Sequence, residues 1–317
     1  MSRARIELWS ALAIVYVVWG STYLGIKVAV RTLPPFLTAG TRFLAAAAIL
    51  AAVLALLRRS LHVPRREALA AAGLGVVLLG CGVGMVHLAE TRIDSGVAAM
   101  IAGSVPLQIV VWRLAAGERV PRQTVIAALV GLVGLALVVG PESFSGGATA
   151  VGLLIMLTAS ISWSSGSYAS RWVRLPKDPL VATVYEMLGG GLVLTTAAIA
   201  AGELADLDAE ALAPGPIAAW AYLAVVGSVL GFTSYVWLLD NAPISQVVTH
   251  QYVNPLVAVA LGALLLDERP GPTTLLGAAL IVGAVVVTAR REGRGEVRPT
   301  PRPSSAARRE TRADPTG

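Results

Sequence analysis

VPLQIVVWRLAAGERVP at residues 105–121 and NPLVAVALGALLLDERP at residues 254–270 carry the same landmarks at the same spacing. Each has an internal proline (Pro106, Pro255), an apolar run, an acidic residue before a turn, and a closing proline (Pro121, Pro270). Downstream, Gly134 recurs as Gly283; upstream, Trp19 stands 23 residues before Arg42, as Trp163 stands 23 before Glu186. Each copy holds about five apolar stretches of membrane-spanning length. A unit with an odd number of spans inserts in opposite senses in its two copies. The sequence therefore predicts an all-α membrane protein of ten transmembrane helices, as two inverted five-helix repeats. Secondary transporters use such repeats to alternate access to one central site.

Composition agrees with a polytopic bundle. The chain is 56% hydrophobic and 14% charged, with mean hydropathy +0.72, where soluble domains carry about a quarter charged residues. The ten-residue alternation of a membrane β-barrel is absent. One cysteine, Cys81, allows no intrachain disulfide, and its Gly-rich apolar setting reads as packing. The start MSRARIELW resembles a signal-peptide n-region, but no small-residue cleavage site follows, so a retained first span is expected.

Spans are expected near Leu8–Val30, Phe36–Leu57, Ala68–His87, Asp94–Ala115 and Gln123–Gly140, then Ala150–Trp172, Pro179–Ala201, Pro216–Leu239, Ile244–Leu266 and Thr273–Ala289. This gives a cytoplasmic N-terminus (1–7), a first repeat (8–140), a second (150–289) and a tail (290–317). With both termini inside, twenty Lys and Arg fall in cytoplasmic segments and four (Lys27, Arg31, Arg92, Arg269) outside, the bias expected of inner segments. The loop before the eighth span is acidic instead (Glu203, Asp206, Asp208, Glu210). The tail, rich in Arg, Pro, Ser and Thr, cannot bury a core and is expected to be disordered. The net charge of +6 follows topology and implies no nucleic acid.

WGSTYLGIKVAV at residues 19–30, a proline loop, AGTRFLAAAAIL at 39–50 and the two proline-to-acid stretches together resemble the EamA-type members of the drug/metabolite transporter superfamily. The resemblance covers roughly residues 8 to 289. It implies ten helices around a central cavity, alternating access, and export of amino acids, related metabolites or toxic organic compounds across a bacterial inner membrane, with no cofactor.

Polar side chains inside spans tend to face a bundle interior, because lipid satisfies none of them. In span nine Gln246, His250 and Asn254 recur every four residues as a stripe, beside Tyr252 and Pro255. Span four offers Ser104, Gln108 and Trp112 beside Pro106. Spans one and six carry Tyr16, Trp19 and Tyr23, and Trp163 with Tyr168 among serines (Ser164, Ser165, Ser167). The aromatics suit a cavity that clamps an apolar substrate; the serines suit close helix packing. The expected cavity residues are Trp19, Tyr23, Ser104, Gln108, Trp163, Tyr168, His250, Tyr252 and Asn254.

Two intramembrane charges occupy equivalent repeat positions, Arg42 and Glu186. Each lies about seven residues from opposite membrane faces, roughly 10 Å deep, so they do not pair with one another. Arg42 is expected to meet Glu90 or Asp94, or to snorkel, and Glu186 to meet Arg171, Arg174 or Arg113. Structural anchoring is the default reading of Arg42 and Glu186; Glu186 and His250 are the candidates for proton coupling. No metalloprotease, phosphate-loop or paired-cysteine motif occurs, and the three histidines lie in different segments, so neither enzyme nor metal site is expected. The sequence predicts a small-molecule exporter in the bilayer, monomeric or homodimeric. A scaffold or sensor without transport is the alternative, and an intramembrane enzyme on lipid-linked substrates a weaker one.

Overall fold

In the computed structural model, residues 3–139, 147–207, 213–242, 247 and 249–295 are described. They form helices and connecting turns, with no strand among them. The helices are α1 (Arg3–Ala29), α2 (Pro35–Leu56), α3 (Arg65–Glu90), α4 (Ser95–Ala115), α5 (Arg122–Val139), α6 (Gly147–Ala169), α7 (Pro179–Ala200), α8 (214–241), α9 (His250–Leu265) and α10 (Pro272–Gly295). Seven, α1–α4 and α6–α8, are long and apolar enough to cross a membrane; the apolar parts of α5, α9 and α10 are shorter. Most boundaries fall within a few residues of those expected. The larger departures are α1, which starts at Arg3 rather than Leu8, α9, which starts at His250 rather than Ile244, and α10, which runs to Gly295 into the expected tail. Gln246 and residues 296–317 lie outside the described residues.

Three helices are irregular. Both α3 and α8 widen into π-helical segments, Val76–Gly84 and Leu223–Leu230. Ser228 bonds back across the wider turn to the Leu223 carbonyl at 3.0 Å, keeping its hydroxyl satisfied. Helix α4 breaks at Ser104, two residues before Pro106, whose ring nitrogen cannot continue the hydrogen-bond ladder. Short turn bonds from the Ser104 amide (3.1 Å) and hydroxyl (2.6 Å) to the Ile101 carbonyl close the break.

Helices of one half pack on helices of the other: α2 on α7, α5 on α10, α1 on α8 and α9, and α6 on α3 and α4. Glycine lets the backbones meet. Gly40 faces Thr195 and the Gly191 carbonyl, and a β-carbon on Gly75 or Gly189 would overlap the Glu186 or Ala72 carbonyl. Gly134 and Gly277 face each other's carbonyls across α5 and α10. This is how helices associate in lipid, where packing rather than water exclusion drives contact. Gly131 packs on Leu107 and Ala284, whereas Gly283 faces open space.

The turns fall into two groups at opposite ends of the bundle. One group, the Lys27 end, joins α1 to α2, α3 to α4 and α9 to α10. There Lys27 Nζ donates to the carbonyls of Glu90 (2.8 Å) and Ile93 (2.7 Å), neutralising the carbonyl end of α3. Glu268 accepts from the amides of Ser95 (2.8 Å) and Gly96 (3.0 Å) and from the Ser95 hydroxyl, capping α4. Glu203 caps α2 through the amides of Phe36 (3.3 Å) and Leu37 (2.7 Å).

Gly75→Val should lower the melting temperature of the detergent-purified protein by roughly 3–10 °C, since overpacking costs about 1–3 kcal/mol. Gly73→Val, two residues away with nothing within 4 Å of a β-carbon, should leave it unchanged. Equal melting temperatures for the two variants would refute the close α3–α7 contact.

Candidate functional site

A cavity of ≈ 140 Å³ opens between α1, α3, α4, α6, α8 and α9, with Arg42 reaching in from α2. Its volume matches that of engineered apolar cavities of about 150 Å³ that admit benzene. The wall is mostly aromatic and aliphatic, with a few polar groups at fixed places.

The aromatic side is built around Trp19. Its ring lies 5.0 Å from Tyr235, and 5.3 Å from both Phe232 and His250, the last two edge-on. Edge-to-face and tilted contacts at these separations are the favourable aromatic geometries. The indole Nε1 donates to the Gly227 carbonyl at 3.2 Å, in the π segment of α8. A β-carbon at Gly231 would strike the Trp19 ring, and one at Gly82 would press on Trp163 at 3.2 Å. The two tryptophans are thus seated alike, each against a glycine in or just past the widened turn of a helix from the other half. In α9 the Asn254 amide orients with Nδ2 donating to the carbonyls of Tyr16 (3.3 Å) and His250 (3.1 Å). Tyr16 also hydrogen-bonds Thr249 through its hydroxyl. His250 Nδ1 donates to the Val247 carbonyl at 2.8 Å, so a neutral ring keeps its Nε2 lone pair free.

Of the expected cavity residues, the structure brings together Trp19, Tyr23, Trp163, His250 and Asn254, with Arg42. It places the others elsewhere. Ser104 and Gln108 are buried beside the cavity in a side-chain network rather than in its lining. Gln108 bonds Ser160 and Ser104 (3.0 Å) through Nε2 and accepts from Ser164 at 2.9 Å, and Trp112 donates to Ser164 at 3.0 Å. In lipid such a network satisfies each polar group it contains. Tyr168 stands at the far end of α6, donating to Glu118 at 2.8 Å. Glu186 packs through its backbone on Gly75, and the arginines expected near it, Arg113 and Arg171, both donate to Glu118. The side chain of Tyr252 lies outside the described residues.

Arg42 is buried, but not beside a carboxylate oxygen as expected. Its Nη1 donates to His87 Nε2 at 3.4 Å and its Nη2 to Ser228 Oγ at 3.5 Å, while its guanidinium carbon sits 4.6 Å from the Phe43 ring centre. His87 Nδ1 bonds the Val83 carbonyl at 2.9 Å, which fixes Nε2 as the acceptor facing Arg42. Sequence reasoning passed over Phe232, Tyr235 and Ser160. These join the site through contacts between distant segments, and their spacing carries no signal of it.

At the opposite end Glu118 gathers Arg171, Tyr168 and Arg113, and Arg171 stacks on Tyr168 (3.8 Å) and Trp172 (4.2 Å). The hydrogen bonds from Arg171 and then Tyr168 hold the Glu118 carboxyl down at about 2. Among the described residues no group of three His, Cys, Asp or Glu side chains converges as a metal site.

A helical bundle with cross-packed halves and a central aromatic chamber defines a multi-pass membrane protein. The chain belongs to the EamA-like transporter family, whose sequence profile matches residues 7–140 and 150–290. It is 36% identical to YedA, an inner membrane transporter of Escherichia coli (strain K12) described as uncharacterized, over 90% of this chain and 91% of that one. It is 26% identical to the WAT1-related protein At3g02690, chloroplastic, of Arabidopsis thaliana, over 90% and 70% of the two chains. A protein of known crystal structure shares the fold, with a TM-score of 0.62, 20% identity, and coverage of 94% of this chain and 100% of that one.

Glu118→Gln should lower the melting temperature with a defined pH dependence. A carboxylate whose pKa falls on folding contributes its stabilisation above its unfolded value of 4.5 and loses it as pH drops through its folded value of about 2. The gap between wild type and variant should therefore be constant from about pH 5 to 8 and close below about pH 4. A gap that widens on acidification would contradict the pairing.

Proposed function

We propose that this chain is a secondary transporter of the bacterial inner membrane, with ten transmembrane helices in two inverted repeats and both termini cytoplasmic. It exports amino acids or related small organic metabolites by alternating access. The observation that carries this reading is the cavity itself. It lies between helices of the two halves, and its two tryptophans are seated on equivalent glycines of the opposite half. Rocking one half against the other changes which end of such a chamber is open without dismantling its walls.

The three irregular segments support the same reading. Each supplies cavity residues: Gly82 and Val83 from α3, Gly103 and Val105 from the break in α4, and Gly227 from α8. Irregular backbone at membrane depth is tolerated where it lines a cavity. The lining favours a cargo with an apolar or aromatic body and one small polar end, held by aromatic contact on the Trp19 side and by Arg42 and Asn254.

Proteoliposomes loaded with unlabelled amino acids should accumulate labelled ones by counterflow, with Trp19→Ala or Asn254→Ala slowing this roughly tenfold, the equivalent of about 1.4 kcal/mol of lost binding. Counterflow that survives both substitutions unchanged would remove the cavity from the transport path. A complete lack of counterflow across amino acids, sugars, nucleosides and organic cations would favour a scaffold.

A further inference from the structure

Glu90 ends α3 at the Lys27 end and is 0% exposed, yet among the described residues neither of its carboxylate oxygens has a hydrogen-bond partner. A buried carboxylate in that position is costly to keep ionised unless a nearby cation shares its charge. Arg42 is the complementary case. It is 4% exposed, its Nε has no partner among the described residues, and its two side-chain bonds are both at the outer limit of hydrogen-bond length. Arg42 lines the cavity and Glu90 does not; the two are linked through His87, which accepts from Arg42 at 3.4 Å and stands one turn before Glu90 on the same face of α3.

The groups facing Glu90 are few. From α1 come Tyr23 and Lys27, with Lys27 already donating to two carbonyls. From α2 comes Arg42, from Glu90's own helix His87, and from the α9–α10 turn Glu268, which is engaged in capping α4. Helix α6, packed on this end of α3, has Tyr168 as its one titratable side chain, and that bonds Glu118. Cys81, in the π segment of α3, is exposed on the bundle surface. Asp94, in the turn after α3, lies by Lys27 and Glu268, which leaves Glu90, among the described residues, as the acid that acts on Arg42.

An open guanidinium at the wall of a cavity is a receptor for a planar anion, which it holds through two parallel N–H bonds. If Glu90 is ionised, its charge offsets that of Arg42 and disfavours a second carboxylate there. If it is protonated, Arg42 is free to take one. We infer that Arg42 and Glu90 form a shared carboxylate-and-proton site, in which a cargo carboxylate docks on Arg42 only as Glu90 takes up a proton. The balance is simple: one proton from water goes onto a Glu90 oxygen, one carboxylate enters, and both leave together, with no bond made or broken in the cargo. The buried site then holds the same net charge loaded and empty, so no uncompensated charge crosses the low-dielectric core. For a monocarboxylate the exchange is electroneutral, and its direction follows the cargo and pH gradients.

This rests on the carrier reading above and deepens it by naming the cargo class as small carboxylates with an apolar body. The test uses 3-phenylpropionate and its neutral analogue 3-phenylpropionamide as probes of the purified full-length protein. Quenching of the cavity tryptophans gives the affinities. Wild type should bind the carboxylate more weakly as pH rises, by up to about tenfold per pH unit, with the amide unaffected. Glu90→Gln should abolish that pH dependence and retain the low-pH affinity. Arg42→Gln should weaken the carboxylate at least roughly tenfold and spare the amide, with Arg42→Lys giving an intermediate loss should the Gln variant not fold. A pH slope that persists in Glu90→Gln, or equal binding of carboxylate and amide by wild type, would overturn the inference. Counterflow of neutral or cationic solutes by a preparation that binds neither probe would overturn it while leaving the carrier standing. Absence of counterflow for every solute class would remove both.

Discussion

The structure depends on close backbone contact between its two halves. Gly40 against Gly191, Gly75 against Glu186, Gly189 against Ala72 and Gly134 against Gly277 bring helices together at distances a β-carbon would forbid. In lipid no solvent-driven force holds apolar helices together, so contact area and small residues do. These seams lie on α2–α7, α3–α7 and α5–α10, to the sides of the chamber. They let the remaining helices stand apart around a cavity without the bundle falling open.

The cavity in turn depends on irregular helices. A straight α3 or α8 would present side chains where Gly82 and Gly231 now leave room for indole rings. The widened turns and the break at Ser104 expose backbone where it faces the chamber, and serine hydroxyls or an indole N–H take up the carbonyls so freed. Polar groups beside the chamber and at the helix ends are satisfied locally. Gln108, Ser160, Ser164 and Trp112 satisfy one another, and Glu118 gathers Arg171, Arg113 and Tyr168 at the helix ends. Glu90 and Arg42 stand out because they are the buried charges this economy leaves incomplete.

Helix positions were legible in the sequence because span length and proline placement are local properties. Trp19, Trp163, His250 and Asn254 were legible as cavity residues because aromatic and polar groups inside spans have few other places to go. The π segments were not, since Val76–Gly84 and Leu223–Leu230 are apolar runs like any other and widen only through the packing of neighbours. The caps by Glu203 and Glu268 join residues more than 160 positions apart, and no local pattern announces them. Ser104, Gln108 and Tyr168 were read as lining from their depth and spacing. Their actual partners, Ser160, Ser164 and Glu118, were decided by how α4 and α6 meet.

The most direct test of alternating access is thiol labelling at one cavity position from each side of the membrane. Ala102, in the cavity wall, would be replaced by cysteine in a Cys81→Ser background. A membrane-impermeant maleimide would then be applied to intact cells and to inverted vesicles. A chamber that opens to each face in turn predicts labelling in both preparations. Labelling from one side alone, or from neither, would contradict it.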